Sequence, residues 1–275
     1  MDMNELSFTK MEGTGNDFFL INNHRGGLKH DWQALARRYC HRRFGIGADG
    51  LIVLEPSQEA DFTMRIFNAD GSEAEMCGNG ARCAAAFAVD QNIAAQEMRF
   101  STLAGVIAAK VGPENVAIRV TEPHGLKTGI AVEIDSRPYR VGFVNTGVPH
   151  TILFVDAIDS VPVETLGRAI RRHAAFAPAG TNADFVQVMG EDRIKVRTYE
   201  RGVEAETLAC GTGATASAII SHASGRVRRS PVHVTMPGGE LMIDFSVSDG
   251  RYSDVWLIGA VTNVFSGILR LDHAV

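Results

Sequence analysis

The sequence predicts an α+β protein of two pseudo-symmetric, homologous α/β domains, each a mostly antiparallel sheet wrapped around a central helix. Three observations lead to this class. A cysteine followed by a glycine-rich turn occurs at position 77 and again at position 210. A run of small and apolar residues, which favours helix, follows each turn. The remaining apolar runs are short and separated by glycines, as in strands of a sheet packed on a helix.

The two halves share a series of landmarks at a nearly constant spacing of roughly 130 residues. In the first half these are Thr14, Asp49, Gly71, Cys77 and Gly105, and in the second half they are Thr146, Asp184, Gly202, Cys210 and Gly239. A period of this length is too long for a solenoid, whose repeats have 20 to 50 residues. The pattern therefore indicates a duplicated domain.

In the first half, apolar runs bounded by glycine turns predict short strands. They lie at 6–8, 18–21, 51–54, 62–67, 98–110 and 116–120. The segment 31–43 places Trp32, Leu35 and Tyr39 on one helical face, so it predicts a helix. A second helix follows Cys77, and residues 122–128 are the expected linker.

The second half repeats this order, with strands expected at 152–155, 185–188 and 241–245, a helix at 162–172 and another after Cys210. We therefore expect one domain at 1–125, which carries Cys77, and one at 130–262, which carries Cys210. A C-terminal strand at about 263–275 is expected to pack back on the first domain. The active site is expected in the cleft between the domains, a usual place for small-ligand sites.

The composition restricts the partners and the compartment. The 275 residues are 45% hydrophobic and 21% charged, with a net charge of −5, which argues against an extended nucleic-acid surface. The N-terminus lacks the pattern of a signal peptide, and no apolar run approaches the roughly 18 residues that span a bilayer. We expect a cytoplasmic protein that binds neither nucleic acid nor membrane.

The four cysteines are too few for a disulfide scaffold in a chain of this length. Cys40 and Cys83 are interpreted as buried apolar residues. Cys77 and Cys210 are each expected at a helix N-terminus, where the helix dipole favours the thiolate.

Three kinds of chemistry could use two such cysteines. A metal site is disfavoured, because Cys77 and Cys83 lack the short spacing of zinc ligands. A cysteine hydrolase, with His150 as the partner base, would leave the second cysteine unexplained. A pair of thiols that removes and returns a proton at one carbon uses both cysteines and both glycine turns. No cofactor or metal is required for that reaction.

At these residues the sequence resembles the diaminopimelate epimerase family. The resembling segments are 10–18, 45–50, 68–73, 77–83, 180–185, 200–204, 209–214 and 237–239. The resemblance implies a pyridoxal phosphate-independent isomerase that interconverts LL- and meso-2,6-diaminopimelate for lysine and peptidoglycan-precursor biosynthesis. It also implies a homodimer.

The resemblance carries roles to matching positions of this chain. It implies that Cys77 and Cys210 are the catalytic acid and base, and that His150 and Glu200 assist them. The residues implied to bind substrate are Asn16, Asn68, Gly78, Asn79, Asn182, Glu200, Arg201, Gly211 and Thr212. Arg201 suits the distal carboxylate of the substrate and Glu200 its distal ammonium group.

The sequence departs from the family pattern at Val148, where many members carry asparagine before the Pro-His dipeptide. Two other functions therefore stay open at this point. One is a racemase or epimerase of another amino acid on the same fold. The other is a non-catalytic metabolite-binding protein, which would have no need of both thiols.

Overall fold

The computed structural model describes residues 5–271 of the chain. The last residues of the strand expected at about 263–275 lie outside the described range, as do the first four residues of the chain. Contacts within the chain define two compact units: Met1–Ile118 with Gly259–Val275, and Arg119–Ile258. The last described residues, 259–271, thus belong to the same unit as the first described residues.

The first unit consists of a sheet and two described helices. Its elements are β1 (Glu5–Gly13), β2 (Asn16–Asn22), α1 (Trp32–Tyr39), β3 (Gly50–Glu55), β4 (Phe62–Asn68), β5 (Glu73–Ala74), α2 (Gly78–Asp90), β6 (Glu97–Thr102), β7 (Gly105–Val111), β8 (Val116–Arg119) and, after the second unit, β18 (Thr262–Arg270). The pairs β18–β1, β1–β2, β3–β4, β4–β5, β6–β7 and β7–β8 are antiparallel, whereas β2–β3 and β4–β6 are parallel.

The second unit repeats this architecture. Its elements are β9 (His124–Ile134), β10 (Arg137–Asn145), β11 (Pro149–Phe154), a 3₁₀ helix (Ile158–Ser160), α3 (Val163–Arg171), a 3₁₀ helix (Ala174–Phe176), β12 (Asn182–Val188), β13 (Arg193–Glu200), β14 (Ala205–Thr207), α4 (Gly211–Ala223), β15 (Val232–Met236), β16 (Gly239–Ser248) and β17 (Arg251–Gly259). The pairs β9–β10, β10–β11, β12–β13, β13–β14 and β15–β16 are antiparallel, whereas β11–β12 and β13–β15 are parallel. The order matches the first unit when β9 is set against β18 and β10 against β1, which confirms the predicted duplication.

The helices α2 and α4 lie at the centre of their units. The α2 helix contacts β1, β2, β3, β4 and β7, and α4 contacts β9 to β13, β15 and β16. Both helices are rich in fully buried small residues, such as Ala84 and Ala218, and a helix that is buried on nearly every side belongs in a core. The predicted central helices are confirmed. Within residues 5–271, no helix is long and apolar enough to cross a membrane.

The helices α1 and α3 cover the opposite side of each sheet. In α1 the predicted face is buried, and the Asp31 side chain caps the helix by accepting a hydrogen bond from the Ala34 amide at 3.0 Å. The helix ends at Tyr39 rather than at residue 43. Gly45 folds back on this end, where a Cβ atom at that glycine would lie 2.4 Å from the Tyr39 carbonyl oxygen.

The stretch 98–110, expected to contain strands around a glycine turn, forms the antiparallel pair of β6 and β7. One expectation about the strands was wrong. Residues 122–128, predicted to be a linker, lie largely in β9, which pairs with β10. Most β9 side chains are exposed, and Gly125 and Gly129 interrupt it, so the segment lacks the apolar alternation that marks a half-buried strand.

Candidate active site

Each predicted catalytic cysteine is the N-cap residue of the central helix of its unit. Cys77 precedes α2 and Cys210 precedes α4, both with extended backbones. The first helical hydrogen bonds run from Ala81 to the Cys77 carbonyl and from Ala214 to the Cys210 carbonyl, each at 2.8 Å. The amides of the first turn have no helical acceptor, so they can face an anion. The predicted position of both cysteines is confirmed.

In the first unit, three of the predicted site residues meet. The Asn16 side chain donates from Nδ2 to Asp49 Oδ2 at 2.7 Å, which fixes the orientation of its amide. Its Oδ1 then lies 3.5 Å from Cys77 Sγ and 3.4 Å from Asn79 Nδ2. The cysteine therefore lies beside two oriented amide groups.

Ion pairs hold the loop that carries Asp49. Asp17 accepts hydrogen bonds from Lys10 at 2.6 Å and from Arg42 at 2.8 and 3.0 Å, and Arg42 also donates to Asp49 at 2.7 Å. Burial opposes ionisation of Asp17, but the bonds from Arg42 and Lys10 prevail and lower its pKa. This network keeps Asp49 in place as the anchor for Asn16.

A buried arginine lies behind the Cys77 helix end. Arg82 is fully buried, and it donates to Thr14 Oγ1 at 2.7 Å and to Asn79 Oδ1 at 3.1 Å. Burial lowers its pKa, while Cys83, Cys77 and Glu12 act in the opposite direction.

Asn68 lies at the end of β4, where the chain turns. Its Nδ2 donates to Ser72 Oγ at 3.0 Å, and the side chain is exposed. The turn passes through Gly71, whose φ of +85° suits glycine. Its hydrogen bond to Ser72 is local and does not join it to Asn16 and Asn79.

In the second unit, four side chains form a chain of hydrogen bonds that ends at Cys210. Asp184 Oδ2 lies 2.7 Å from His150 Nδ1, His150 Nε2 lies 3.0 Å from Thr212 Oγ1, and Thr212 Oγ1 lies 3.4 Å from Cys210 Sγ. His150 and Asp184 are 0% exposed. The chain joins the predicted residues His150, Thr212 and Cys210 to a buried carboxylate.

Three further predicted residues surround this chain. Asn182 Oδ1 accepts a hydrogen bond from the Arg201 backbone amide at 2.7 Å, and Asn182 Nδ2 lies 3.3 Å from His150 Nε2. Glu200 accepts a hydrogen bond from Thr207 at 2.6 Å. The Arg201 guanidinium donates to the Ala179 carbonyl at 2.9 Å.

The Cys210 thiol differs from the expectation based on the helix dipole. Burial, followed by the charges of Glu200 and Asp184, raises the pKa of Cys210 well above its usual value, so these effects outweigh the helix N-terminus. Burial also raises the pKa of Glu200. The pKa of Cys40 and that of Cys83 rise to about 12 through burial, in keeping with structural roles.

Asp184 and Thr198 belong to the polar cluster and were absent from the predicted site. Thr198 Oγ1 donates to Asp184 Oδ1 at 2.7 Å. Strand alternation could have found Asp184, because it follows Asn182 by two residues and therefore shares its face. Within the described part of the chain, no group of three or more His, Cys, Asp or Glu side chains is arranged to hold a metal ion.

The fold is shared with solved structures of low sequence similarity. A phenazine biosynthesis protein of the PhzF family from Bacillus anthracis has a TM-score of 0.74 at 14% identity, over 96% of this chain and 99% of that chain. A probable proline racemase from Agrobacterium radiobacter K84 has a TM-score of 0.68 at 15% identity, over 97% of this chain and 93% of that chain. These likenesses define the class of fold, a duplicated α/β domain of the PhzF and proline racemase type.

The sequence itself defines the family. The family profile described as diaminopimelate epimerase matches residues 8–124 and 142–262. A diaminopimelate epimerase from Aquifex aeolicus is 46% identical over 279 residues, covering 96% of this chain and 98% of that protein. One from Archaeoglobus fulgidus is 44% identical over 282 residues, covering 98% of each. The chain belongs to the diaminopimelate epimerase family.

Proposed function

We propose that this protein is an isomerase that interconverts LL- and meso-2,6-diaminopimelate, without pyridoxal phosphate, in lysine and peptidoglycan-precursor biosynthesis. The observation that carries the proposal is the pair of cysteines, each placed as the N-cap of a central helix and each beside oriented polar side chains. Relatives with near-complete coverage of the chain bear the name of this activity.

The proposed reaction needs one base and one acid at the same substrate carbon. Either Cys77 or Cys210, as the thiolate, takes the α-hydrogen as a proton, and the thiol of the other gives a proton to the opposite face of the carbanion. The first thiolate ends as a thiol and the second thiol as a thiolate, so the proton count balances. His150 and Glu200 assist through their positions around Cys210.

The helix N-termini suit the negative charge that develops in this reaction. The first-turn residues Gly78 and Asn79 in α2, and Gly211 and Thr212 in α4, carry amides that precede the first helical hydrogen bonds. Such amides bind a carboxylate, and they stabilise it further as the carbanion forms and delocalises into it.

The distal amino-acid group of the substrate requires charged and amide partners. We propose Arg201 for its carboxylate and Glu200 for its ammonium group, with Asn16, Asn68 and Asn182 as further polar contacts. We also propose a homodimer located in the cytoplasm.

Hydrogen exchange at the α-carbon tests the function directly. The protein is incubated with meso-diaminopimelate in D₂O, and deuterium at Cα is measured together with the appearance of the LL isomer. We expect both to occur without added cofactor. Exchange with proline in place of diaminopimelate would identify another racemase, and exchange with neither amino acid would refute the proposed activity.

A further inference from the structure

The residues that lie beneath the two catalytic helices are chemically different. Gly213 in α4 packs against polar atoms, because a Cβ atom there would meet Asp184 Oδ1 at 2.5 Å and Thr198 Oγ1 at 3.1 Å. Gly80, the corresponding residue of α2, packs against Ile52 Cδ1 at 3.0 Å and Ile66 Cδ1 at 3.1 Å. The pair of residues beneath α4 is thus polar, whereas the corresponding pair beneath α2 is apolar.

The sheet register shows that these positions correspond. Asp184 pairs with Thr198 across β12 and β13, and Ile52 pairs with Ile66 across β3 and β4. His150 opens the parallel β11–β12 pairing, and Phe18 opens the parallel β2–β3 pairing. The fold therefore does not require a histidine, a carboxylate or a hydroxyl at these buried places, since the first unit fills them with Phe, Ile and Ile.

The protonation of His150 follows from its neighbours. Asn182 Oδ1 accepts from the Arg201 backbone amide, which can only donate, so the other end of the Asn182 side chain is the NH₂ group. That group donates towards His150 Nε2, and Nε2 therefore carries a lone pair rather than a proton. The proton of this neutral imidazole is on Nδ1, which donates to Asp184.

The direction of the remaining hydrogen bonds is then determined. Thr212 Oγ1 donates its proton to His150 Nε2, so towards Cys210 it can act only as an acceptor. An acceptor at 3.4 Å from Cys210 Sγ suits an S–H group and disfavours a thiolate. Asp184 accepts from His150 with one oxygen and from Thr198 with the other, which suits an ionised carboxylate.

We propose that Asp184 is a positioning residue, which acts through His150 and Thr212 to keep Cys210 in its thiol form when no substrate is bound. The first unit carries Phe18, Ile52 and Ile66 at the corresponding positions, and Cys77 lies beside Asn16 Oδ1 instead. Cys210, held as a thiol, enters turnover as the proton donor, a consequence that rests on the proposed function.

Three titratable groups face Cys210. They are Asp184 on β12, Glu200 on β13 and, through Thr212, His150 on β11. The carboxylates of Asp184 and Glu200 both favour the thiol by their negative charge. The experiments therefore have to separate the hydrogen-bond chain from the charge of Glu200.

The first test uses the unaltered protein. Nitrogen chemical shifts of ¹⁵N-labelled histidine report the protonation of each ring nitrogen, and a His150→Gln variant identifies the signal among the nine histidines. We expect the His150 ring to carry a proton on Nδ1 and none on Nε2. A ring protonated on Nε2 would overturn the proposal.

The second test measures alkylation of Cys210 by iodoacetamide in a Cys77→Ser background, with peptide mass analysis to identify the modified thiol. Only the thiolate reacts. Asp184→Asn should increase the rate at pH 8 at least about threefold, which corresponds to about half a pH unit in the reaction midpoint. Glu206→Gln is the matched control, because this carboxylate of the same unit is bound to Arg197 and is not among the groups that face Cys210. A rate for Asp184→Asn no higher than that of the control would overturn the proposal.

The third test keeps Asp184 and changes the hydroxyl, so it remains decisive if Asp184→Asn does not fold. Thr212→Val removes the acceptor and should make Cys210 alkylation faster than in Thr212→Ser, and equal rates would mean that the hydroxyl does not hold Cys210 as a thiol. Slower alkylation of Thr212→Val would mean that the hydroxyl donates to a thiolate, contrary to the proposal. None of the three measurements needs turnover, so their failure is distinct from a failure of the deuterium-exchange experiment.

Discussion

Gly213→Ala should destabilise the second unit, because the added methyl group has no room. Its Cβ would lie 2.5 Å from Asp184 Oδ1 and 3.1 Å from Thr198 Oγ1. Asp184 cannot move freely, since its two oxygens accept from Thr198 and His150 at 2.7 Å each. Losing one hydrogen bond to a buried charged group costs about 1.5–3 kcal/mol, and the helix preference of alanine over glycine returns at most about 1 kcal/mol. With the full return of about 1 kcal/mol, we expect a net loss of about 0.5–2 kcal/mol in the free energy of unfolding.

Gly80→Ala is the matched control in the other unit. A Cβ atom there would meet only the Cδ1 atoms of Ile52 and Ile66, at 3.0 and 3.1 Å, and the Phe18 ring at 3.5 Å. Aliphatic side-chain ends can shift by a few tenths of an ångström without breaking a hydrogen bond. The strain from the added methyl group and the helix preference of alanine should then nearly cancel. The free energy of unfolding of Gly80→Ala should therefore stay within about 1 kcal/mol of that of the parent protein.

Urea unfolding of both variants at pH 7, followed by circular dichroism, measures the difference. Gly213→Ala should have the lower midpoint, and it should also lose epimerase activity, because the displaced Asp184 side chain disturbs the hydrogen bonds behind Cys210. If Gly213→Ala were as stable as the parent protein, or if Gly80→Ala were the more damaging of the two, the account of the packing beneath these helices would be refuted.

Further predictions concern the catalytic thiols, the distal contact and one ion pair. Cys77→Ser and Cys210→Ser should each lower kcat by roughly 10²–10⁴-fold, the usual contribution of a general acid or base, while circular dichroism stays unchanged; full activity in either variant would contradict the two-base mechanism. Arg201→Ala should weaken diaminopimelate binding by about 1.5–3 kcal/mol, which would be seen as a higher KM, and Arg201→Lys should be less affected. Equal KM values for the parent and Arg201→Ala would contradict the assignment of Arg201 to the distal carboxylate. Asp17→Asn should lower stability by about 1–2 kcal/mol at pH 7, allowing for the exposure of its partner Arg42. Because the pKa of Asp17 is lowered in the folded protein, this contribution is complete above its unfolded value of about 3.9 and declines as the pH falls below it. Unfolding free energies of parent and variant that differ as much at pH 2.5 as at pH 7 would contradict that assignment.

The features that could be predicted were those with a strong local signal. The small-residue runs after Cys77 and Cys210 favour helix, and glycines at their starts favour a tight entry. Apolar spacing identified α1 from Trp32 to Tyr39 in the same way. The constant spacing of the landmarks then predicted the duplication without any knowledge of strand pairing.

The strand β9 lacked such a signal. Its side chains are mostly exposed, so no alternation of buried and exposed positions was available. It is nevertheless held by long antiparallel pairing with β10. Backbone hydrogen bonds between strands do not depend on side-chain type, so this pairing leaves little recognisable pattern in the sequence.

Local sequence patterns predicted two cysteines at helix N-termini and the duplication that carries them. The difference between the two halves became visible in the three-dimensional arrangement. Asp184, Thr198 and His150 are far apart in sequence from Ile52, Ile66 and Phe18, and the sheet register alone shows that they fill corresponding places. Strand pairing and helix packing bring together residues from several segments, and a hydrogen-bonded chain can be recognised only once its members share one buried space.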